Sequence, residues 1–431
     1  MLKKIIQLKL KILAKLVIAK QKPEVVGITG SVGKTSARDA VYAVLNRKFR
    51  VGSCLKNYNN EFGLPLTIIG AASPGRNIFG WIRIFWRGFK LSLRKDEDYP
   101  RILVLEMGID HPGDMDYLLD IAGPKVGILT MIGTVHAENF GSRNKLIQEK
   151  AKLIRNIPAS GWSIINYDNE DCRRIAAESR ARVITFGLEE RSDIRAQEIN
   201  YSFSGEAIAA NIKGINFKMG YKGSHTPILL PGVLGINSVY AALAAAAVGL
   251  SFGMNQIEIS EALRKFDSPK GRMRLIPGIK NTTIIDDTYN SEPKSAIAAL
   301  GALKRIPVKE GAGKFVVLGD MLELGAYSEE GHKDVGRYVA RAGFDWLFTV
   351  GERARHIAHG AKEEGMGEDR IFSFSDSSEV GRFMQDRIRE NDLILVKGSQ
   401  GMRMEKVVKE IIADPLRASK LLVRQEEEWL K

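Results

Sequence analysis

Two parallel-sheet α/β domains in succession are predicted by three features of this 431-residue chain. Short β-rich apolar runs alternate with helical stretches, the pattern of a parallel sheet covered by helices. The first run enters a glycine-rich turn that closes on Gly-Lys-Thr. The alternation restarts beyond a Ser-Pro-Lys-Gly boundary within residues 266–271.

Residues 1–22 read as a basic amphipathic helix or tail, with Ile5, Ile6, Ile12, Leu13 and Leu16 on one face and Lys4, Lys11, Lys15 and Lys22 on the other. Residues 23–267 then hold the central domain, with strands expected at 25–28, 102–106, 126–130 and 163–166. Within it, residues 78–94 repeat the amphipathic design, setting Trp81, Ile82, Phe85 and Phe89 opposite Arg83, Arg87, Lys90 and Arg94. Alternating residues and Gly-rich turns at 194–230 predict antiparallel strands, and an Ala-rich helix at 238–250 leads to the boundary. Residues 268–431 form the second, Rossmann-like domain, with strands at 283–285, 315–318, 346–350 and 393–396. No internal repeat or low-complexity linker is visible.

The hydrophobic content of 44% supports large cores. The formal charge of +13 is lopsided: residues 1–22 carry seven lysines and no acid, and a second basic segment runs from 76 to 101. The near balance elsewhere argues against a nucleic-acid surface on the main body and for two local basic elements. Their aromatic and cationic composition suits either a membrane interface or packing on an apolar neighbour. Every apolar run is broken well short of the roughly 20 residues that span a bilayer, and lysines throughout the N-terminal segment exclude a signal peptide. Cys54 and Cys172 are too few for a disulfide framework and suit a reducing cytoplasm. The expectation is a monomeric cytoplasmic enzyme, peripheral at the inner membrane face through residues 1–22 and 78–94.

The stretch Val26-Gly27-Ile28-Thr29-Gly30-Ser31-Val32-Gly33-Lys34-Thr35-Ser36 is built to hold a nucleotide phosphate chain. Gly30, Ser31 and Gly33 let the backbone approach phosphate oxygens, and N–H groups at the following helix start face the anion. Lys34 adds a point charge and the Thr35 hydroxyl can ligate Mg²⁺, with Ser36 beside it. Ile28 stands where the common phosphate-loop pattern has its first glycine. ATP is the nucleotide these features favour.

Further motifs follow in order: Asn57-Tyr58-Asn59-Asn60-Glu61-Phe62-Gly63, Leu105-Glu106-Met107-Gly108, Gly133-Thr134-Val135-His136-Ala137-Glu138-Asn139-Phe140-Gly141-Ser142 and Glu149-Lys150-Ala151-Lys152-Leu153. Beyond the boundary come Gly271-Arg272-Met273, Asp286-Asp287-Thr288-Tyr289-Asn290, Leu318-Gly319-Asp320-Met321-Leu322-Glu323-Leu324-Gly325 and Val396-Lys397-Gly398-Ser399. Over residues 23–405 the chain resembles the Mur ligase family, and the runs Asp286–Asn290 and Leu318–Gly325 look like its branch that adds D-alanyl-D-alanine to a UDP-muramoyl tripeptide.

That resemblance implies amide formation in two steps: the acceptor carboxylate takes the γ-phosphoryl group of ATP to form an acyl phosphate, and the incoming amine displaces phosphate. It implies two Mg²⁺ ions, one held by Thr35 and Glu106, the other by His136 and by Lys150 carbamylated with CO₂. Lys152, two residues along the helix, points about 200° away from Lys150. Asn59 and Asn60 would fix the γ-phosphate and acceptor. Arg272, Asp286 and Asp287 would serve ATP from the second domain, and Asn290, Lys397 and Ser399 would place the acceptor or dipeptide. Two departures stand out. Asn237 occupies the place where relatives carry a histidine near adenine, and only the basic tail stands before the phosphate loop, where relatives have a UDP-binding domain. Competing expectations are a ligase acting on another carboxylate, lipid-linked or not, and an ATP-binding scaffold without turnover.

Overall fold

Strand β1 (Glu24–Thr29), buried after its first residue, lies inside the sheet that carries the Gly30–Gly33 turn. A computed structural model describes residues 2–54, 59–75, 77–133, 140–426 and 429. The chain divides into two compact units. The first comprises Met1–Ile199, Phe217–Leu230 and Ile236–Asp267, the second Asn200–Asn216, Pro231–Gly235 and Ser268–Lys431.

In chain order the first part contains α1 (Leu2–Gln21), β1, α2 (Lys34–Leu45), β2 (Val51–Ser53), α3 (Gly63–Ile69), α4 (Ile78–Leu93), β3 (Ile102–Glu106), α5 (Asp114–Ile121) and β4 (Val126–Leu129). There follow α6 (Arg143–Arg155), β5 (Trp162–Asn166), α7 (Glu170–Ala176), β6 (Arg182–Gly187), β7 (Ile194–Phe203), β8 (Ile212–Tyr221), β9 (Ser224–Pro231), α8 (Ile236–Ser251) and α9 (Gln256–Leu263). The sheet order is β2-β3-β1-β4-β5-β6-β7-β8-β9, and β2 through β6 pair in parallel. Strands covered on both faces read as unbroken apolar runs, which is why β1, β3, β4 and β5 are visible in sequence. The short strand β2 and the half-exposed β6 are not. β8 and β9 are joined by Lys222 and Gly223, with φ of 48° and 79°, the left-handed pair that a two-residue hairpin loop needs.

The two amphipathic helices differ from the sequence expectation. On α1, Leu13 turns inward with Leu10, Ala14 and Val17, and Ile6 is half-buried, while Ile5, Ile12 and Leu16 face outward with Leu8. On α4, Trp81 and Phe85 pack against an inner cluster, whereas Ile82 and Phe89 face out with Trp86. Each helix carries two apolar stripes, which a single-face reading merges. Gly88 sets their spacing: a Cβ there would lie 2.4 Å from Leu13 Cδ2. Gln21 ties their C-terminal ends, its Nε2 donating to the carbonyls of Leu91 at 2.5 Å and Arg94 at 2.7 Å, its Oε1 accepting from the Asp96 N–H at 3.0 Å.

The second unit contains β10 (Arg274–Pro277), β11 (Thr283–Asp287), α10 (Pro293–Arg305), β12 (Lys314–Gly319), α11 (Ser328–Ala342), β13 (Trp346–Val350), α12 (Arg355–Glu363), β14 (Ile371–Phe374), α13 (Ser377–Gln385), β15 (Leu393–Lys397), α14 (Glu405–Ile411) and α15 (Ala418–Leu421). Its sheet order is β10-β11-β15-β12-β13-β14, parallel except for β10. Phe315, Trp346, Phe348 and Phe372 stack across neighbouring strands with centroids 5.4 to 6.0 Å apart. β11 extends two residues past the expected end, so Asp286 and Asp287 lie on the strand itself.

Replacing Gln21 by Leu strips partners from two backbone carbonyls and one N–H at the end of α4. A loss of about 1–3 kcal/mol is expected, read by urea unfolding; an unchanged midpoint would show that the tie carries no stability.

Candidate active site

Parallel pairing sets the site at the carboxyl edge of the first sheet, where such folds bind ligands. Ile28 registers with Glu106, which places the end of β3 beside the turn that follows β1. In that turn Gly30 has φ 149°, and a Cβ on it would lie 2.0 Å from Thr130 Oγ1. Gly33, at φ 87°, starts α2. The turn is stitched to the loop after β4: Ser31 N–H donates to the Met131 carbonyl at 2.6 Å, and the Thr130 hydroxyl to the Val32 carbonyl at 2.7 Å.

Glu106 is only 2% exposed. The Thr35 hydroxyl donates to its Oε2 at 3.1 Å and the Asn59 amide to its Oε1 at 3.3 Å. Arg38 Nη1 lies 3.6 Å from Oε2. Arg38 is itself buried, bonding Asp39 and the Cys54 sulfur at 2.7 and 3.0 Å. Sequence reasoning passed over Arg38; the available signal was a cation on the otherwise apolar face of α2, beside Ala37, Ala40 and Val41. Burial pushes the Asp39 carboxyl up to about 6 although Arg38 pulls it down.

Lys34 and Lys150 meet at one acceptor, their Nζ atoms lying 2.9 and 3.0 Å from the Gly30 carbonyl oxygen. Lys150 is 3% exposed, and burial together with the nearby Lys34 charge pulls its pKa down to about 7. Lys152 turns the other way, to Asp116 at 2.6 Å and Glu149 at 2.7 Å. Glu149 accepts from the N–H groups of Gly113 and Met115, capping the start of α5. His136 lies outside the described residues. Asn60 does not join Asn59 at Glu106; its Oδ1 accepts from Gly63 N–H at 3.0 Å, at the start of α3. Ser36 is buried in the first turn of α2.

A narrow cleft beside the turn is lined by Val32, Gly33, Thr130, Asn166, Asn237 and Tyr240. The Tyr240 hydroxyl donates to Asp168 at 2.7 Å, and the same carboxylate accepts from the N–H groups of Leu188 and Glu189. Asn166 at the end of β5 and Tyr240, one turn after Asn237, were not singled out by sequence. Their positions at a strand end and on the helix of Asn237 were the usable signals.

Two observations fit a triphosphate with Mg²⁺. Ser31 Oγ is buried with no partner among the described residues, as a hydroxyl awaiting an anion would be. Thr35 and Glu106 give one hydroxyl and one carboxylate, the sparse oxygen set Mg²⁺ uses when phosphate and water complete its shell. Among the described residues no group of three or more His, Cys, Asp or Glu side chains converges on a metal position.

The second unit gathers its own polar residues. Asp287 registers with Lys397 across β11 and β15, and the two form a buried ion pair at 2.6 Å. Asp287 also accepts from Met273 N–H, and Lys397 donates to the Asn290 carbonyl at 2.9 Å. Ser399 is buried between the Leu322 N–H and the Ser291 carbonyl. Asn290 is exposed, and the Arg272 guanidinium lies 4.0 Å above the Tyr289 ring. Asp286 is fully enclosed, with Oδ1 accepting from the Thr288 hydroxyl at 2.6 Å and Oδ2 without a partner among the described residues.

Burial pushes Asp286 from 3.8 up to about 6. The folded state then binds the proton more tightly than the unfolded chain, so this group makes stability fall as pH rises from about 4 to about 6. Asp286→Asn is expected to remove that decline, measured as the difference between wild-type and variant unfolding free energies across the interval. A difference independent of pH would contradict it.

A family model described as Mur ligase middle domain matches residues 88–249, and one described as Mur ligase, glutamate ligase domain matches 271–400. The UDP-N-acetylmuramoyl-tripeptide--D-alanyl-D-alanine ligase of Bacillus subtilis is 31% identical over 405 residues, covering 94% of this chain and 79% of its own. A crystal structure of MurF from Acinetobacter baumannii superposes with a TM-score of 0.74 at 26% identity, covering 94% of this chain and 80% of the other. MurF ligase from Thermotoga maritima in complex with ADP shares the fold at TM-score 0.74 and 24% identity, over 96% and 84% of the two chains. With a relative this similar over most of both chains, and with matching models on either side of the Asp267–Ser268 division, the chain belongs to the Mur ligase family.

Proposed function

We propose that this chain is an ATP-dependent ligase of peptidoglycan precursor synthesis that joins D-alanyl-D-alanine to the tripeptide carboxylate of a UDP-N-acetylmuramoyl acceptor in the cytoplasm. The observation that carries the reading is the convergence of Lys34, Thr35, Glu106 and Lys150 around the Gly30–Gly33 turn, in a chain 31% identical to a ligase of that name.

The acceptor carboxylate attacks the γ-phosphorus, ADP leaves, and the dipeptide amine then displaces phosphate from the acyl phosphate. Both steps crowd negative charge, so fixed cations and backbone dipoles supply much of the catalysis. The turn N–H groups and Lys34 would bind the phosphates, while Asn59 holds Glu106 in place. The cleft of Asn166, Asn237 and Tyr240 would take the adenine. Mg²⁺, held by Thr35 and Glu106, would neutralise phosphate charge and orient the γ-phosphoryl group; a second ion would be held by His136 and Lys150. Arg272 and Asn290 are assigned to ATP and acceptor, whereas the burial of Asp286, Asp287, Lys397 and Ser399 suits residues that shape their loops.

Carbamylation of Lys150 is what the family resemblance implies, and the burial of its nitrogen beside Lys34 at the Gly30 carbonyl suits it. Near pH 7 a substantial fraction is free amine; its nitrogen can bond to the carbon of CO₂ and lose a proton, leaving an anionic oxygen ligand. ¹³C-bicarbonate should give the wild-type protein a carbamate carbonyl resonance that Lys150→Arg lacks, and that signal should fall on acidification, because carbamate formation releases a proton. A spectrum identical in the two proteins would remove the carbamate from the mechanism.

For the reaction itself, ATP, Mg²⁺, D-Ala-D-Ala and UDP-muramoyl tripeptide should yield the pentapeptide product by mass spectrometry, with phosphate release dependent on both acceptor and dipeptide. Lys34→Ala and Glu106→Gln should each lower kcat by about 10²-fold or more. ATP binding without turnover on any muramoyl peptide would overturn the proposal in favour of a scaffold.

A further inference from the structure

Helices α1 and α4 hold ten of the seventeen exposed large hydrophobic side chains of the described residues. On α1, Ile5, Leu8, Ile12 and Leu16 recur at helical spacing along the outer face, each 45% exposed or more. On α4, Phe79, Ile82, Trp86 and Leu93 do the same, with Phe79 at 83% and Trp86 at 67%. The helices pack together through Leu13 and Gly88 and are tied by Gln21, so these stripes stand on neighbouring helices. The opposite face of each helix is already occupied by the protein's own core. A patch of this kind on a folded chain marks a place where something binds.

Charge names the occupant. Residues 1–22 carry seven lysines and residues 76–94 carry five Arg or Lys, with no acid in either segment, so they account for twelve of the thirteen net positive charges of the chain. At 100° per residue, Lys9 and Lys20 border one side of the α1 stripe and Lys4 and Lys15 the other, all exposed. Arg83, Lys90 and Arg94 border the α4 stripe. Lys15, with Lys11, also pairs with Asp120 at the α5 side, at 2.7 and 2.8 Å. Protein interfaces are depleted in lysine, whereas helices lying in a bilayer interface combine Trp, Phe and Leu on one face with Lys and Arg beside them. No described helix is long and apolar enough to cross a membrane, which leaves adsorption in the plane of the surface.

We propose that the outer face of α1 and α4 is a docking site for an anionic phospholipid bilayer, with the apolar stripes entering the acyl boundary and the flanking lysines and arginines meeting headgroup phosphates. The two helices are pre-ordered by their packing on the core, so docking does not require them to fold on the surface. The inference does not rest on the ligase reading, and its test measures no turnover.

The full chain is mixed with vesicles of phosphatidylcholine plus phosphatidylglycerol, or of phosphatidylcholine alone, and separated by flotation. Binding to the anionic vesicles is expected, weakening as salt rises, with little binding to neutral ones. Ile12→Glu combined with Trp86→Glu should reduce the bound fraction at least about tenfold, while circular dichroism and the melting midpoint stay as in wild type, because both side chains are exposed. Lys9→Glu with Lys90→Glu should flatten the salt dependence. Failure to float with anionic vesicles, or flotation indifferent to both pairs of substitutions, would overturn the proposal. So would a dimer in sedimentation that Trp86→Glu converts to monomer, since the face would then belong to a second copy of the chain.

Discussion

A carboxylate enclosed at the end of β3 is the constraint from which the rest of the first unit's site follows. An ionised group out of water is tolerable only when donors surround it, and Glu106 has Thr35, Asn59 and Arg38 within reach. Those donors come from α2 and from the segment before α3, so satisfying one side chain fixes three pieces of chain. Thr35 cannot reach Glu106 unless α2 begins where it does. That start in turn requires the left-handed Gly33 and the close approach of Gly30 to Thr130.

The same geometry makes the turn electropositive. Two lysine nitrogens share the Gly30 carbonyl, buried Arg38 stands one helical turn further on, and the N-terminus of α2 adds its partial positive charge. Against these stand Glu106, Asp39 paired with Arg38 at 2.7 Å, and Asp110 near Lys150. Lysine nitrogens and a helix N-terminus gathered at one turn form a cradle that suits a polyanion. It also explains Lys150: where burial and a second ammonium both disfavour its charge, the free amine becomes accessible at neutral pH.

In the second unit, charge is used to hold a sheet edge. The register of β11 with β15 sets Asp287 beside Lys397, and the pair then organises the Met273 N–H and the Asn290 carbonyl around it. On α1 and α4 the apolar residues divide their labour differently. One stripe of each helix completes a core while the other remains exposed among cations, so a fold-stabilising helix doubles as a surface element.

Residues 24–36 could be read without any structure, because a strand buried on both faces is an unbroken apolar run and a tight turn into a helix is a local matter of glycine. Glu106 was legible for a related reason: a carboxylate closing an apolar strand must sit at a sheet edge. The spacing of Lys150 and Lys152 likewise foretold that they diverge. Sequence by itself therefore determined the fold class, the glycine-rich turn between β1 and α2 and the concentration of cations in two helices. Tertiary structure alone decided that Asn60 accepts from the Gly63 N–H while Asn59 turns to Glu106, that Arg38 backs the carboxylate, and that Tyr240 meets Asp168. It also decided which stripe of α1 and α4 is core, since periodicity reveals that a face is apolar and never what lies against it.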